Sequence, residues 1–244
     1  MTGQDLNNVV AKIKGEEGTQ VEIQFFVVKT WKSIRRQRRE KVVEVHTVEH
    51  EMKSDGIGYI RITEFDSVTY DQFASALEDL EAQGMTGLVI DLRDNPGGNL
   101  DTVCDILDLI LPEGTIVSTK DKNGEGETYT SDEEHKLEIP LSVLTNGNSA
   151  SASEIFAGAV QDYGVGTLVG TTTFGKGIVQ QIFPLTDGTS IKLTISEYFT
   201  PKGRNIHGTG IDPDVEVEYE YNEEDPAADN QLEKAIEIVK GNGM

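Results

Sequence analysis

The sequence predicts an α/β protein, and three observations carry that expectation. From residue 57 onward, short apolar runs alternate with stretches of helical spacing, as strands and crossover helices do around a largely parallel sheet. Gly87-Leu88-Val89-Ile90-Asp91-Leu92 is apolar at consecutive positions, which suits a strand covered on both faces. The chain has 244 residues, 36% of them hydrophobic, so it is long enough and apolar enough for a substantial core.

Taken in order, Asp5–Lys14 has apolar residues at 6, 9, 10 and 13, the spacing of an amphipathic helix with Thr2 or Asp5 as N-cap. A turn from Gly15 to Gly18 leads into Val21-Glu22-Ile23-Gln24-Phe25, which alternates as a strand. Residues 29–41 (KTWKSIRRQRREK) are crowded with Lys and Arg and suit a solvated basic hairpin or a dock for an acidic partner. Val42–Val48 alternates again, and 57–62 is a strand. Tyr70–Gln83 is a helix ended by Gly84, and the strand at 87–92 turns through Arg93–Gly98 into a helix at about 100–111. Residues 121–138 form an acidic stretch. Then come a strand at 141–145, a helix at 151–163, strands at 167–170, 178–183, 190–199 and 215–221, and a terminal helix from Gln231 to Val239.

Charge and composition exclude several functions. A net charge of −22 repels phosphates, which argues against nucleic-acid binding or broad contact with anionic membranes. The single cysteine, Cys104, allows no internal disulfide and no multi-cysteine zinc site, and its apolar helix places it in the core. His46 and His50 share a strand face without an HExxH helix, and His135 and His207 lie in loops, so neither a metal centre nor a histidine-based triad is expected. No run of residues is long and apolar enough to span a membrane, and the first residues show no charged-then-apolar leader.

Chemistry should gather where loops leave strands, because ligands of open α/β sheets collect at strand C-terminal ends. The turn Asp91–Gly98 pairs Gly97 and Gly98 after a proline, which lets backbone N–H groups approach a ligand closely. The loop Thr145–Glu154 runs from an apolar strand into a helix. Ser149, Ser151 or Ser153 there is either a nucleophile beside a helix N-terminus or simply an N-cap completed by Glu154. The loop Gly170–Gly177 nearly matches a phosphate-binding P-loop. However, Gly177 replaces the magnesium-binding Ser or Thr, and the strand-like run after it offers phosphate no helix N-terminus. Lys176 instead sits between glycines in front of an apolar run. Burial there would lower its amine from about 10.4 toward neutrality and make it a general base.

Together, LRDNPGG (92–98), SASASE (149–154), TFGKGIVQ (173–180), Tyr198–His207 (YFTPKGRNIH) and Gly210–Asp214 (GIDPD) resemble the C-terminal processing peptidases, also called tail-specific proteases, over about residues 5–240. The resemblance implies a serine endopeptidase with a ClpP/crotonase-like core that cleaves proteins near their C-termini through an acyl-enzyme. It implies Ser151 as nucleophile, Lys176 as base and Gln180 as the residue orienting the amine. The backbone N–H groups of Gly97 and Ala152 would form the oxyanion hole, with Glu154 as a supporting acid and no metal or cofactor. It divides the chain into a partial PDZ remnant with connecting strands (1–45), a protease core (46–225) and a helical tail (226–244). Asp5–Phe26 resembles only the last helix and strand of that PDZ domain, so weak selectivity for a free C-terminus is expected. The implied partners are protein or peptide substrates with exposed C-termini and another copy of the chain, outside the cytoplasm and with any membrane anchor beyond this chain. Two rival functions fit the same features: a peptide-binding relative without catalysis, and a crotonase-like acyl-CoA enzyme without a serine nucleophile.

Overall fold

The computed structural model describes residues 6–16, 18–27, 32–39, 45–132 and 134–242. The chain divides into two units, Met1–Val45 and His46–Met244. In the first, helix α1 (Leu6–Ile13) precedes an antiparallel hairpin of β1 (Gln20–Val27) and β2 (Lys32–Arg39), with Gln24 opposite Arg35. The register sets Val21 opposite Arg38 and Ile23 opposite Arg36, while Phe25 falls opposite Ile34. Arg35 Nε pairs with Glu22 Oε1 at 3.1 Å, an exposed contact of small energetic weight. Much of the basic run therefore forms a hairpin strand, while residues 28–31 and 40–44 lie outside the described residues.

The second unit is built on a six-stranded sheet. Its strands are β3 (Val48–Met52), β4 (Ile57–Ile62), β5 (Gly87–Asp91), β8 (Leu141–Thr145), β9 (Thr167–Gly170) and β12 (Val215–Glu216), in the spatial order β12-β9-β8-β5-β4-β3. All neighbours run parallel except the β4–β3 pair. Strand periodicity sends alternate residues of the central strands to opposite faces. Leu88, Ile90, Val143 and Leu168 enter the larger core, with helices α2 (Thr69–Ala82), α3 (Leu100–Asp108) and α4 (Ala152–Tyr163). Val89, Leu144 and Val169 point the other way, onto Ala235 and Val239 of α5 (Asn230–Asn242). A second, antiparallel sheet has the order β10-β11-β6-β7, from β6 (Gly114–Lys120), β7 (Thr128–Ser131), β10 (Ile178–Pro184) and β11 (Ser190–Phe199). This mixed α/β architecture is the predicted class. Among the described residues, no helix is long and apolar enough to cross a membrane.

Three expectations about elements need correction. Of the strand expected at 42–48, residues 45–47 are not strand and Val48 instead begins β3; residues 42–44 lie outside the described residues. Thr47 is diverted because its N–H donates to Gln72 Oε1 (2.9 Å) and its hydroxyl bonds Thr69 Oγ1 (2.7 Å). The expected strand at 215–221 pairs only at Val215 and Glu216, because its partner β9 ends at Gly170. The hairpin of β6 and β7, which borders the acidic stretch, was not anticipated; it is held by pairing with β11 through Tyr198 and Thr119.

Candidate active site

The loops that follow β5, β8 and β9 meet at the C-terminal edge of the parallel sheet. The turn after β5 is fixed by Asn95, which is fully buried. Its amide donates to Ile62 O (2.9 Å), its Oδ1 accepts from Gly97 N (2.8 Å), and its carbonyl accepts from Ala150 N (3.0 Å) and Ser153 Oγ (3.0 Å). This one side chain and its peptide join the ends of β4 and β5 to the loop after β8. The glycines allow the approach. A Cβ on Gly97 (φ 100°) would lie 2.6 Å from Ala150 O and 2.8 Å from Ala152 N, and one on Gly98 (φ 150°) would lie 2.0 Å from Phe65 O.

The loop after β8 separates its three serines. Ser149 and Ser153 are fully buried, and their hydroxyls donate to Leu92 O (2.8 Å) and Asn95 O (3.0 Å). These two are structural. Ser151 is the N-cap of α4 and shares a capping box with Glu154. Its hydroxyl donates to no described group. Its backbone stands at φ 56°, ψ −114°, a conformation non-glycine residues adopt at a cost of about 1–3 kcal/mol. A strained strand-to-helix turn of this kind lifts a side chain clear of the sheet at a helix N-terminus. The N-cap role and exposure to a cleft are therefore properties of the same residue.

That cleft has a volume of about 460 Å³ and is lined by Ser151, Lys176, Gly97, Ala152 and Gln180, with Gly98, Glu64, Leu100, Ile155, Val179, Lys192 and Tyr198 among the other walls. Five of the six residues singled out in the sequence thus share one cavity; the sixth, Glu154, lies beneath it, fully buried. Glu154 Oε2 accepts from the N–H of Ser151 (2.9 Å) and of Lys176 (2.8 Å), and Oε1 from Gly175 N–H (2.6 Å) and Thr173 Oγ1 (2.6 Å). A buried carboxylate requires such donors, and here they belong to the two loops that carry Ser151 and Lys176. Lys176 Nζ makes no hydrogen bond or ion pair to a described residue. Among the described residues, no histidine lines the cleft.

The remaining predicted residues are placed as follows. Gln180 is exposed on β10, beside a bulge, and its amide donates to Thr194 Oγ1 at 3.5 Å; no bond joins it to Lys176. Ala152 N–H, at the first position of α4, has no partner among the described residues. Gly97 N–H is already given to Asn95. Gly98 N–H has no partner among the described residues. Phe65 bonds the residues on either side of Gly98, accepting from Asn99 N (2.8 Å) and donating to Gly97 O (2.9 Å), so the peptide groups of Gly98 itself point away from Phe65. The loop after β9 leads into a strand, without the helix a P-loop needs. Cys104 is buried in α3, where burial, and then Asp101 and Asp105, push its thiol up to about 12.

Sequence reasoning gave no site role to Asn95, Thr173 and Tyr198. Thr173, besides bonding Glu154, accepts from Ile211 N (2.8 Å). Tyr198 is buried, and its hydroxyl bonds Lys176 O (2.7 Å) and Ser151 O (3.1 Å). Tyr198 stands inside a quoted motif, but its partners are distant in the chain and carry no local signal.

The chain matches the model of Peptidase family S41 over residues 56–217. It is 38% identical over 243 residues to a carboxyl-terminal-processing protease of Synechocystis sp., covering 97% of this chain and 57% of that protein. It is 42% identical over 221 residues to the carboxy-terminal processing protease CtpB of Bacillus subtilis, covering 89% of this chain and 46% of that protein. Among solved structures, it is similar to a photosystem II D1 C-terminal processing protease, with a TM-score of 0.66 at 30% identity, covering 88% of this chain and 60% of that one. The chain spans about half the length of the curated relatives it matches.

Proposed function

The chain belongs to peptidase family S41, and from that premise we propose that it is a serine endopeptidase that cuts protein chains near their C-termini with a Ser/Lys dyad. Ser151 Oγ attacks the scissile carbonyl carbon while the neutral amine of Lys176 takes the hydroxyl proton. The carbonyl electron pair moves onto oxygen, and N–H groups stabilise that oxyanion. Ala152 supplies one and the Gly97-Gly98 turn the other. In that turn, Gly97 must release Asn95 to donate, whereas Gly98 has nothing to release. Collapse breaks the C–N bond, and the departing amine takes its proton from Lys176. Water then attacks the acyl carbon and gives its proton to Lys176; the ester bond to Ser151 breaks, Lys176 returns that proton to Ser151 Oγ, and the free acid leaves. Gln180 assists by orienting the amine once substrate fills the cleft.

The observation that carries this assignment is the shared carboxylate of Glu154. It accepts from the N–H of Ser151 and of Lys176 at 2.9 and 2.8 Å, so one buried group ties together the main chain that carries the nucleophile and the base. The same assignment reads residues 1–45 as the end of a PDZ domain with its connecting strands, 46–225 as the protease core and 226–244 as a helical tail laid on the back of the sheet. It places the protein outside the cytoplasm. The test is cleavage of an unfolded protein by the wild type, Ser151→Ala and Lys176→Ala. Loss of turnover in both variants, with folding intact, supports the dyad, and wild-type turnover in either removes it.

A further inference from the structure

We propose that Tyr198 is a positioning residue for the reaction, holding the main chain of the base and the nucleophile in register through their carbonyls. This rests on the Ser/Lys assignment above. Tyr198, one residue before the end of β11, lies against the lysine loop. Its N–H donates to Gly177 O (3.1 Å), and its hydroxyl reaches Lys176 O (2.7 Å) and Ser151 O (3.1 Å). The ring is 1% exposed and packed in the larger core, so the hydroxyl is delivered from a rigid support.

Glu154 and Tyr198 divide the work by polarity. The carboxylate can only accept, and it takes the N–H of Ser151 and of Lys176. The phenol donates, and it takes the two carbonyls of the same residues. Glu154 thus binds both N–H groups of the dyad, and the Tyr198 hydroxyl lies within hydrogen-bond distance of both carbonyls. A phenol has one proton, which the shorter contact assigns mainly to Lys176 O. Ser151 O already accepts from Glu154 N (2.8 Å) and Ile155 N (3.0 Å) at the start of α4, so it depends less on Tyr198. Burial, and then the nearby Glu154 carboxylate, raise the phenol far above its ordinary value, so it remains a donor wherever a peptidase works. Lys176 carries its amine at the end of a long flexible stem. A small rotation of its peptide becomes a large displacement at Nζ, and a misplacement near 1 Å costs about a hundredfold in rate.

The experiment measures kcat and KM on an unfolded protein substrate for the wild type, Tyr198→Phe, Tyr163→Phe and Ser151→Ala. Tyr163→Phe is the control, because its hydroxyl bonds a carbonyl, Thr115 O at 3.0 Å, outside the cleft. Tyr198→Phe should lower kcat by about ten- to a hundredfold with KM changed by less than about twofold, while Tyr163→Phe leaves kcat unchanged. Replacing Tyr198 with 4-aminophenylalanine, which restores a donor at the same place, should bring kcat back to within about threefold of wild type, whether or not the Phe variant folds. A Tyr198→Phe enzyme with wild-type kcat, an equal loss in Tyr163→Phe, or no recovery with the amino analogue would overturn the proposal. If Ser151→Ala itself retains turnover, the dyad assignment falls instead, and the two failures are told apart.

Discussion

The protein buries two carboxylates at the C-terminal edge of its parallel sheet and satisfies them in opposite ways. Asp91, 2% exposed, faces a formal charge: Arg93 bonds both of its oxygens, and Tyr59 adds a donor at 2.8 Å. Arg93 then continues to Asp229 Oδ2 (2.7 Å) and Gln231 Oε1 (3.0 Å), so a charge cluster ties β5 to the start of α5. Burial alone would lower the guanidinium, but the bonds to Asp91 and Asp229 outweigh it and hold Arg93 charged. Glu154, 0% exposed, faces neutral dipoles only: three main-chain N–H groups and the Thr173 hydroxyl. The first arrangement cancels its field and joins distant segments. The second meets main-chain and hydroxyl donors alone and fixes two short loops against each other. The Asp91 cluster should therefore register in stability, and the Glu154 cluster in rate.

The largest effects should fall on the site that Glu154 supports. Ser151→Ala and Lys176→Ala should each lower turnover of an unfolded protein by about a thousandfold or more with melting temperatures little changed. Glu154→Ala comes next. It leaves buried N–H groups without an acceptor, so it should cost about 3 kcal/mol of stability and about a hundredfold in kcat, read by denaturant unfolding and steady-state kinetics.

Arg93→Ala sharpens the comparison. It strands the buried Asp91 charge and should cost about 3–5 kcal/mol in unfolding free energy, yet leave kcat at low temperature within about threefold. If Arg93→Ala silenced the enzyme as Glu154→Ala does, the two carboxylates would not have separate roles.

The smallest effect concerns acid. Burial would raise Asp229, but its bonds from Arg93 dominate and lower it. A depressed carboxyl adds stability above its ordinary range near 3.8, and that stability fades as pH falls through the lowered value. Asp229→Asn should thus lose stability at neutral pH and show a shallower decline between about pH 5 and 3, measured as melting temperature against pH.

Much of this was legible locally. The strand at 87–91 and the helix after Ser151 follow from apolar periodicity and capping, and Gly97, Ser151, Ala152, Lys176 and Gln180 do share one cleft. What stayed hidden is nonlocal. The hairpin of β6 and β7 is a modest alternation of Thr, Val and Ser beside acidic residues and exists because β11 pairs with it. Asn95, Thr173 and Tyr198 matter through partners on other loops, and no spacing rule reports which carbonyl a buried hydroxyl will meet. Which of the three serines is free also depends on such partners, since Ser149 and Ser153 are spent on Leu92 O and Asn95 O.

Lys176, in the proposed dyad, activates Ser151 as a nucleophile. The most direct test of that activation is acid-quenched mass spectrometry after mixing the chain with an activated acyl ester such as p-nitrophenyl acetate. One acyl group is expected, on the peptide that carries Ser151, formed rapidly in the wild type and slowed by about a hundredfold or more in Lys176→Ala. An acyl group on another residue, or equal acylation of Ser151 without Lys176, would contradict it.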